Sequence, residues 1–229
     1  MKIVVLGDGL LGKEIIKQTG WEYYSRKKDN LNINNIVTWS HLLLPYDVIV
    51  NCIAYTKTYD DNKQQHWDVN YKAVAELVDY CNNHNKKLIH ISTDYIYANS
   101  FQNADEEITV PAQIETWYGY TKLLGDAYVQ LKSKNYLICR ESHKPFPFPY
   151  KEAWDNVETN GDFVNVIAEL IIKLINKEAK GVFNVGTEPK TIYDLAVSKG
   201  FNVKSINSPS NVPMNTTMNL NKLKKFLND

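Results

Sequence analysis

Lys2-Ile3-Val4-Val5-Leu6-Gly7-Asp8-Gly9-Leu10-Leu11-Gly12 decides how the rest of the chain is read. Residues 2 to 6 form a short apolar run, as expected of a parallel strand buried on both faces. Three glycines follow at G-x-G-x-x-G spacing, and a helical pattern runs from about Leu10 to Thr19. That spacing is a weak signal alone and an informative one between a strand and a helix. The first glycine permits a tight turn, the second lets backbone approach a pyrophosphate, and the third lets helix pack on strand. Free N–H groups at the positive end of the helix would then meet the phosphates. Gly7, Gly9, Leu10, Leu11 and Gly12 are therefore candidate cofactor contacts. The plainer alternative is an ordinary strand-to-helix turn.

Beyond this turn, strands and helices alternate. Strands are expected at Trp21 to Tyr24, Asp47 to Ile53, Lys87 to Ile91 and Tyr136 to Cys139, and helices at His66 to Asn83 and Trp117 to Leu131. Such alternation implies βαβ units and an α/β, Rossmann-like, doubly wound parallel sheet. After Arg140 the composition changes. Lys144-Pro145-Phe146-Pro147-Phe148-Pro149 cannot sit inside a helix or a central strand and reads as a loop leaving the sheet. A helix from Asp162 to Asn176, a strand from Gly181 to Val185, a capping box at Thr191-x-x-Asp194 with a helix to about Lys199, and a short helix from Leu220 to Leu227 follow. Residues 1–140 are expected to form a dinucleotide-binding core. Residues 141–229 would form a small substrate lobe plus returning sheet elements, packed as one unit with that core.

The bulk composition excludes several classes. The 229 residues carry zero formal net charge, so there is no electrostatic footprint for nucleic acid or an anionic membrane. Cys52, Cys81 and Cys139 are odd in number and far apart, which favours reduced, buried thiols over a metal site; no metal is expected. No apolar run reaches membrane-spanning length, and Gly7, Asp8 and Gly9 interrupt the N-terminal run too early for a signal peptide. A soluble, cytoplasmic protein is expected.

The cofactor's ribose 2′ position should be read at the end of the second strand, where a carboxylate suits NAD and a cation suits NADP. Tyr24-Ser25-Arg26-Lys27-Lys28 offers no acid before Asp29. Arg26 can make a two-pronged phosphate contact and Lys27 adds a point charge, with Ser25 beside them. NADP(H) is preferred, and NAD(H) is not excluded. A solvated basic loop is the alternative.

A second constellation is Tyr118-Gly119-Tyr120-Thr121-Lys122. Residues four apart share a helix face. A lysine ammonium near a phenol stabilises phenolate and lowers the tyrosine pKa, and such a tyrosine can pass a proton to a carbonyl oxygen. Tyr-x-x-x-Lys alone is common by chance among fifteen tyrosines. It gains weight from Ser92-Thr93-Asp94, at the carboxyl end of the expected strand Lys87 to Ile91, where open α/β sheets bind ligands. Thr93 would offer a hydroxyl to the same carbonyl oxygen.

Together these residues resemble the extended short-chain dehydrogenase/reductase family, and within it the dTDP-4-dehydrorhamnose reductase group. The resemblance is carried by Gly7 to Gly12, Asp47 to Ala54, Asn70, Ser92-Thr93-Asp94-Tyr95-Ile96-Tyr97, Tyr118 to Lys122, Gly181 to Gly186 and Asn219 to Leu223. It implies that Tyr118 is the proton donor, Lys122 orients cofactor and tyrosine, and Thr93 is a third catalytic hydroxyl. It places Cys52, Ile53 and Ala54 along the cofactor cleft, Asn30 and Leu31 at the adenine, Asp94 and Tyr95 on the sugar side, and Asn70 in support of the active-site lysine. Tyr95 stands where nucleotide-sugar 4,6-dehydratases carry a glutamate base, so the resemblance implies ketone reduction rather than dehydration. It also implies a homodimer through the helices of Asn70 and Tyr118, with Trp67, Tyr71 and Tyr128 suited to the interface or else packed inside against the sheet.

Two departures bear on the substrate. Chains of the group are longer by several tens of residues, and the shortfall falls after Arg140. The group's tryptophan that packs on the sugar is absent from Arg140-Glu141-Ser142-His143, where His143 either replaces that contact or is a plain loop histidine. The expectation is an NADP(H)-dependent reductase of a carbonyl on a nucleotide-linked sugar. A non-catalytic binding or regulatory protein on the same fold, or an epimerase, stays open.

Overall fold

Along the first strand alternate residues serve opposite layers, because successive side chains of a strand point to opposite faces. In the computed structural model, which describes residues 1–99, 103–107 and 114–228, Ile3 and Val5 enter one hydrophobic core while Val4 and Leu6 enter the other. Strands β1 (Ile3–Leu6), β2 (Glu22–Tyr24), β3 (Val48–Asn51), β4 (Lys87–Thr93), β5 (Tyr136–Glu141) and β6 (Gly181–Val185) form one six-stranded sheet. Its order is β6-β5-β4-β3-β1-β2, and each neighbouring pair is parallel. The α/β, Rossmann-like class expected from the sequence is the one observed.

Helices cover both faces. On one, α1 (Leu10–Thr19) packs beside α4 (Val164–Asn176), whose Ile167, Ala168, Ile171 and Leu174 are fully buried. On the other lie α2 (Lys63–Asn83) and α3 (Trp117–Lys132), contributing Ala73, Leu77 and Val129. Since β1 has β2 on one side and β3 on the other, the order reverses between β1 and β3. A crevice opens beyond the carboxyl ends of the strands at such a reversal.

Several boundaries differ from the sequence reading. Strand β4 runs on to Thr93 and β5 to Glu141, because their parallel register continues through Thr93↔Glu141. Helix α2 begins at Lys63, capped by Asn62, and includes a π-helical turn over Asp68–Lys72. Helix α4 starts at Val164 rather than Asp162, since Asp162–Phe163 pairs in parallel with His143–Lys144. Thr191 caps the following helix, its hydroxyl accepting from Asp194 N–H at 3.0 Å, while the Asp194 carboxylate accepts from that hydroxyl at 2.8 Å rather than from Thr191 N–H as a full capping box would require. Unforeseen short helices occupy Arg26–Asp29 and Ile36–Trp39.

The proline-rich stretch leaves the sheet, and Phe148 joins Phe163 and Ile192 in a third, smaller core. Among the described residues, no helix is long and apolar enough to cross a membrane, and no cluster of His, Cys, Asp or Glu could hold a metal ion.

Candidate active site

A cleft of about 400 Å³ lies at the predicted end of the sheet. One wall is the glycine turn. Gly7 has a φ of +96°, a conformation costly for other residues. A Cβ on Gly12 would sit 2.1 Å from the Gly7 carbonyl oxygen, so only glycine lets α1 lie this close to β1. Gly9 caps α1 with no side-chain hydrogen bond, and nothing lies within 4 Å of where its Cβ would be. The first turn of α1 thus borders the cleft with no side-chain acceptor on its N–H groups, which fits an incoming phosphate.

Gly9, Leu10, Leu11, Gly12, Cys52, Ala54, Thr93, Asp94, Tyr95, Tyr118, Lys122 and His143 all border this cleft. Its described wall does not take in Gly7, Ser25, Arg26, Lys27, Asn30, Leu31 or Ile53. Ile53 packs behind the turn, where its side chain would meet a Cβ on Gly7 at 2.8 Å. Leu31 is buried in the core beside β1, where its side chain packs. Ser25 is fully buried, and its hydroxyl caps the Arg26–Asp29 turn by accepting from Lys28 N–H at 3.1 Å. Arg26 and Lys27 stand exposed at the end of β2. Asp29 is turned inward, its carboxylate accepting from Ser25 N–H at 2.9 Å.

Tyr118 opens α3 one residue after its start, with the Thr116 hydroxyl capping the helix by accepting from Gly119 N–H at 3.1 Å. Burial raises the phenol's pKa; a hydrogen bond with Thr93 lowers it, and Glu141 and Asp94 raise it further. The net direction is upward. This corrects the expectation that Lys122 depresses it. The Lys122 ammonium instead donates to the Ile91 carbonyl oxygen at 2.5 Å, and burial brings its own pKa down to about 8 against the pull of Asp126, Glu141 and Cys52. The Cys52 thiol is pushed up to about 12 by burial and stays protonated.

Asn70 holds no direct bond to Lys122. Its amide accepts from Tyr55 N–H at 2.8 Å and donates to Tyr55 O at 3.1 Å and to Thr121 Oγ1 at 3.3 Å. It thereby ties the loop after β3 to the residue beside the lysine. The π turn places it there, and Gly125 admits it: a Cβ on Gly125 would lie 2.5 Å from the Asn70 carbonyl oxygen.

The opposite wall was less legible. Asp94 is buried, and its carboxylate accepts from Thr216 Oγ1 at 2.7 Å and Thr159 Oγ1 at 3.1 Å. Burial lifts its pKa to about 6, although both threonines and Lys144 pull it down. Tyr95 shares a hydrogen bond of 2.7 Å with Tyr59 and meets Tyr118 edge-on at 6.0 Å between ring centroids. His143 is held by Glu141, Nδ1 to Oε2 at 2.8 Å; burial lowers its pKa, but that carboxylate outweighs burial and the net shift is upward. Sequence reasoning missed Glu141, Ser142 and Lys144 as cleft residues. Their signal was the continuation of β5 past Cys139, which carries this segment to the cleft.

A Rossmann-like sheet with a glycine turn, a Tyr-x-x-x-Lys helix and a threonine at the end of β4 defines the dehydrogenase/reductase class of α/β proteins. Within it, residues 1–143 match the model of the RmlD substrate binding domain family, and the chain belongs to that family.

A probable low-salt glycan biosynthesis reductase, Agl14, from Haloferax volcanii is 35% identical over 105 residues, covering 44% of this chain and 35% of that protein. The matches to the leading curated relatives span between about a third and a half of those proteins' own length. Among solved structures, a hypothetical dTDP-4-dehydrorhamnose reductase from Sulfolobus tokodaii superposes with a TM-score of 0.83 at 20% identity, covering 98% of this chain and 94% of that one. The dTDP-4-dehydrorhamnose reductase of Bacillus anthracis, in complex with NADP, does so at 0.80 and 20%, covering 98% and 93%.

Proposed function

We propose that the chain is a cytoplasmic, NADP(H)-dependent reductase of a carbonyl on a nucleotide-linked sugar. The observation that carries this reading is the convergence of Thr93, Tyr118 and Lys122 on one cleft with the start of α1, which no side chain caps. A nicotinamide cofactor, when bound, supplies the hydride. Gly9 to Gly12 would hold its phosphates. The exposed Arg26 and Lys27 favour a 2′-phosphate, and the Asp29 carboxylate beside them already spends one oxygen on Ser25 N–H.

Tyr118 is the proton donor. Its raised pKa keeps the phenol protonated at neutral pH, the form a reduction needs at the carbonyl oxygen. Thr93 orients that oxygen from the other side. Lys122 fixes the ribose and, once drawn from the Ile91 carbonyl, supports the phenolate left after transfer. Tyr95 places a phenol where a dehydration would need a carboxylate base.

The names of the relatives, a glycan biosynthesis reductase and a dTDP-4-dehydrorhamnose reductase, support the sugar assignment. Replacing Tyr118 with Phe is expected to lower turnover by about 10²–10⁴-fold while leaving NADPH binding intact. Unchanged oxidation of NADPH against a panel of 4-keto nucleotide sugars would refute the assignment, and a product inverted rather than reduced would move it to an epimerase.

The proposal extends to a homodimer through α2 and α3. Trp67 is 40% exposed and meets Tyr71 edge-on, which in turn meets Tyr128 across the two helices. Light scattering tests it: a monomer mass would remove it.

A further inference from the structure

Lys144 borders two cavities at once. One is the cleft that holds Tyr118. The other is a groove of about 780 Å³ lined by Phe148, Tyr150, Trp154 and Ile206 among others. The lysine's backbone is fixed by the pairing of His143–Lys144 with Asp162–Phe163. Its side chain is partly buried at the junction of the two spaces. Lys122, on the same cleft, spends its ammonium on the Ile91 carbonyl, and Lys190 pairs with Asp162 at 3.0 Å. The Lys144 ammonium makes no hydrogen bond or ion pair with any described residue. The carboxylates of Asp94 and Glu141 act on it from farther away; each has closer partners, Asp94 in two threonines and Glu141 in His143.

A partly buried ammonium without a partner is costly, and that cost is recovered when a ligand supplies an oxyanion. Because Lys144 borders both spaces, a ligand that spans them would place its carbonyl at Thr93 and Tyr118, negative charge at Lys144 and a flat or apolar group against the aromatic groove. Burial already lowers the ammonium's pKa, so an arriving anion also stabilises its charged form.

Resting on the reductase reading above, we propose that Lys144 is the substrate's anion anchor and fixes which way the substrate lies between cleft and groove. The oxyanion is either the diphosphate of a nucleotide-linked sugar or a carboxylate on the sugar ring. A neutral, non-nucleotide carbonyl compound would leave the lysine unpaired.

The test is calorimetric binding to the full chain, saturated with NADPH, as wild type, Lys144→Met and Lys144→Arg. The probes are UDP, UDP-glucose, UDP-glucuronate and uridine, with the dTDP and thymidine counterparts. The methionine keeps the length of the stem and removes the charge. Its affinity for the diphosphates is expected to fall at least tenfold, with uridine, thymidine and NADPH unaffected and the arginine variant retaining most of the binding. A loss confined to UDP-glucuronate would assign the anchor to a ring carboxylate. Equal affinity of wild type and Lys144→Met for every ligand that binds overturns the proposal and leaves the reductase reading standing. If wild type binds NADPH but none of the nucleotides, both the anchor and the nucleotide-sugar reading fall.

Discussion

The floor of the cleft and its far wall are made in different ways. The floor is the carboxyl edge of β1, β3 and β4. There Gly9, Cys52 and Thr93 are placed by their own strands and by a parallel register that runs through the core. The far wall is stitched from distant segments. Asp94 reaches threonines 65 and 122 residues away, and Glu141 to Lys144 is held by a two-residue pairing with Asp162–Phe163. Residues on the floor are positioned by the strands of the central sheet itself. Recognition that sits on the wall depends on a few long-range bonds, and that is where chains sharing this floor can come to differ.

The largest effect is expected where the two halves are bolted together. Arg140, 3% exposed, donates from Nε to Asp126 Oδ2 at 3.0 Å and from Nη2 to Oδ1 at 3.2 Å. Its Nη1 reaches the Tyr97 hydroxyl at 2.5 Å and the Glu106 carbonyl at 3.1 Å. Tyr97 and Glu106 both hold Asn184 of β6. Arg140→Met strands the fully buried Asp126 carboxylate, with only Ser92 and Gln130 left to it. A loss of about 3–5 kcal/mol is expected, read as a shift in the denaturation midpoint. A loss below about 1 kcal/mol would mean that floor and wall are joined by something other than this network.

The same contrast explains what could be read from the sequence. The glycine turn, β6 and the Thr191 cap were legible because each is a local rule: a φ, a buried alternation, one side chain capping its own helix. Thr93 and Tyr118 were legible because each sits at the expected end of an element. The π turn at Asn70 was not, since it adds a residue to a helix whose apolar spacing hardly changes. The burial of Leu31 was not legible either, because a leucine after a turn fits an exposed edge and a core equally well, and only packing against β1 places it in the core. Thr159 and Thr216 carried no signal, as nothing local to either one points to Asp94.

A second test separates stability from chemistry on the floor itself. Lys122 is 2% exposed, and burial lowers its pKa from 10.5 to about 8. Between those values the folded state holds fewer protons than the unfolded one, so this group's contribution to stability rises with pH. Below about 8 the fold carries the full cost of the buried charge, about 3 kcal/mol at about 1.4 kcal/mol per pH unit. Lys122→Met is expected to lose turnover yet be more stable than wild type at pH 7 by up to that amount, less what the Ile91 carbonyl forfeits. Asp126 keeps Arg140 in that variant. The gap should close as pH approaches 10.5. A variant less stable at pH 7, or a gap that widens with pH, would show that Lys122 is a structural bolt rather than a strained functional group.

The smallest effect belongs to the wall, and its sign is opposite. Asp94 is lifted from 3.8 to about 6 by burial. Across that window the folded state holds the extra proton, so the group's contribution to stability falls as pH rises from about 4 to 6 and is fully lost above 6. Asp94→Asn removes the titration while keeping one carbonyl oxygen to accept from Thr216 or Thr159. Wild type is therefore expected to lose about 2 kcal/mol of stability relative to the variant between pH 4 and pH 7; any threonine bond that Asn forgoes shifts both pH values alike and cancels. Paired chemical denaturation curves at the two pH values isolate the difference, since the other carboxylates titrate in both proteins. A difference that stays constant would mean that Asp94 is charged throughout, stabilised by Lys144, and that the lysine already has its anion within the fold.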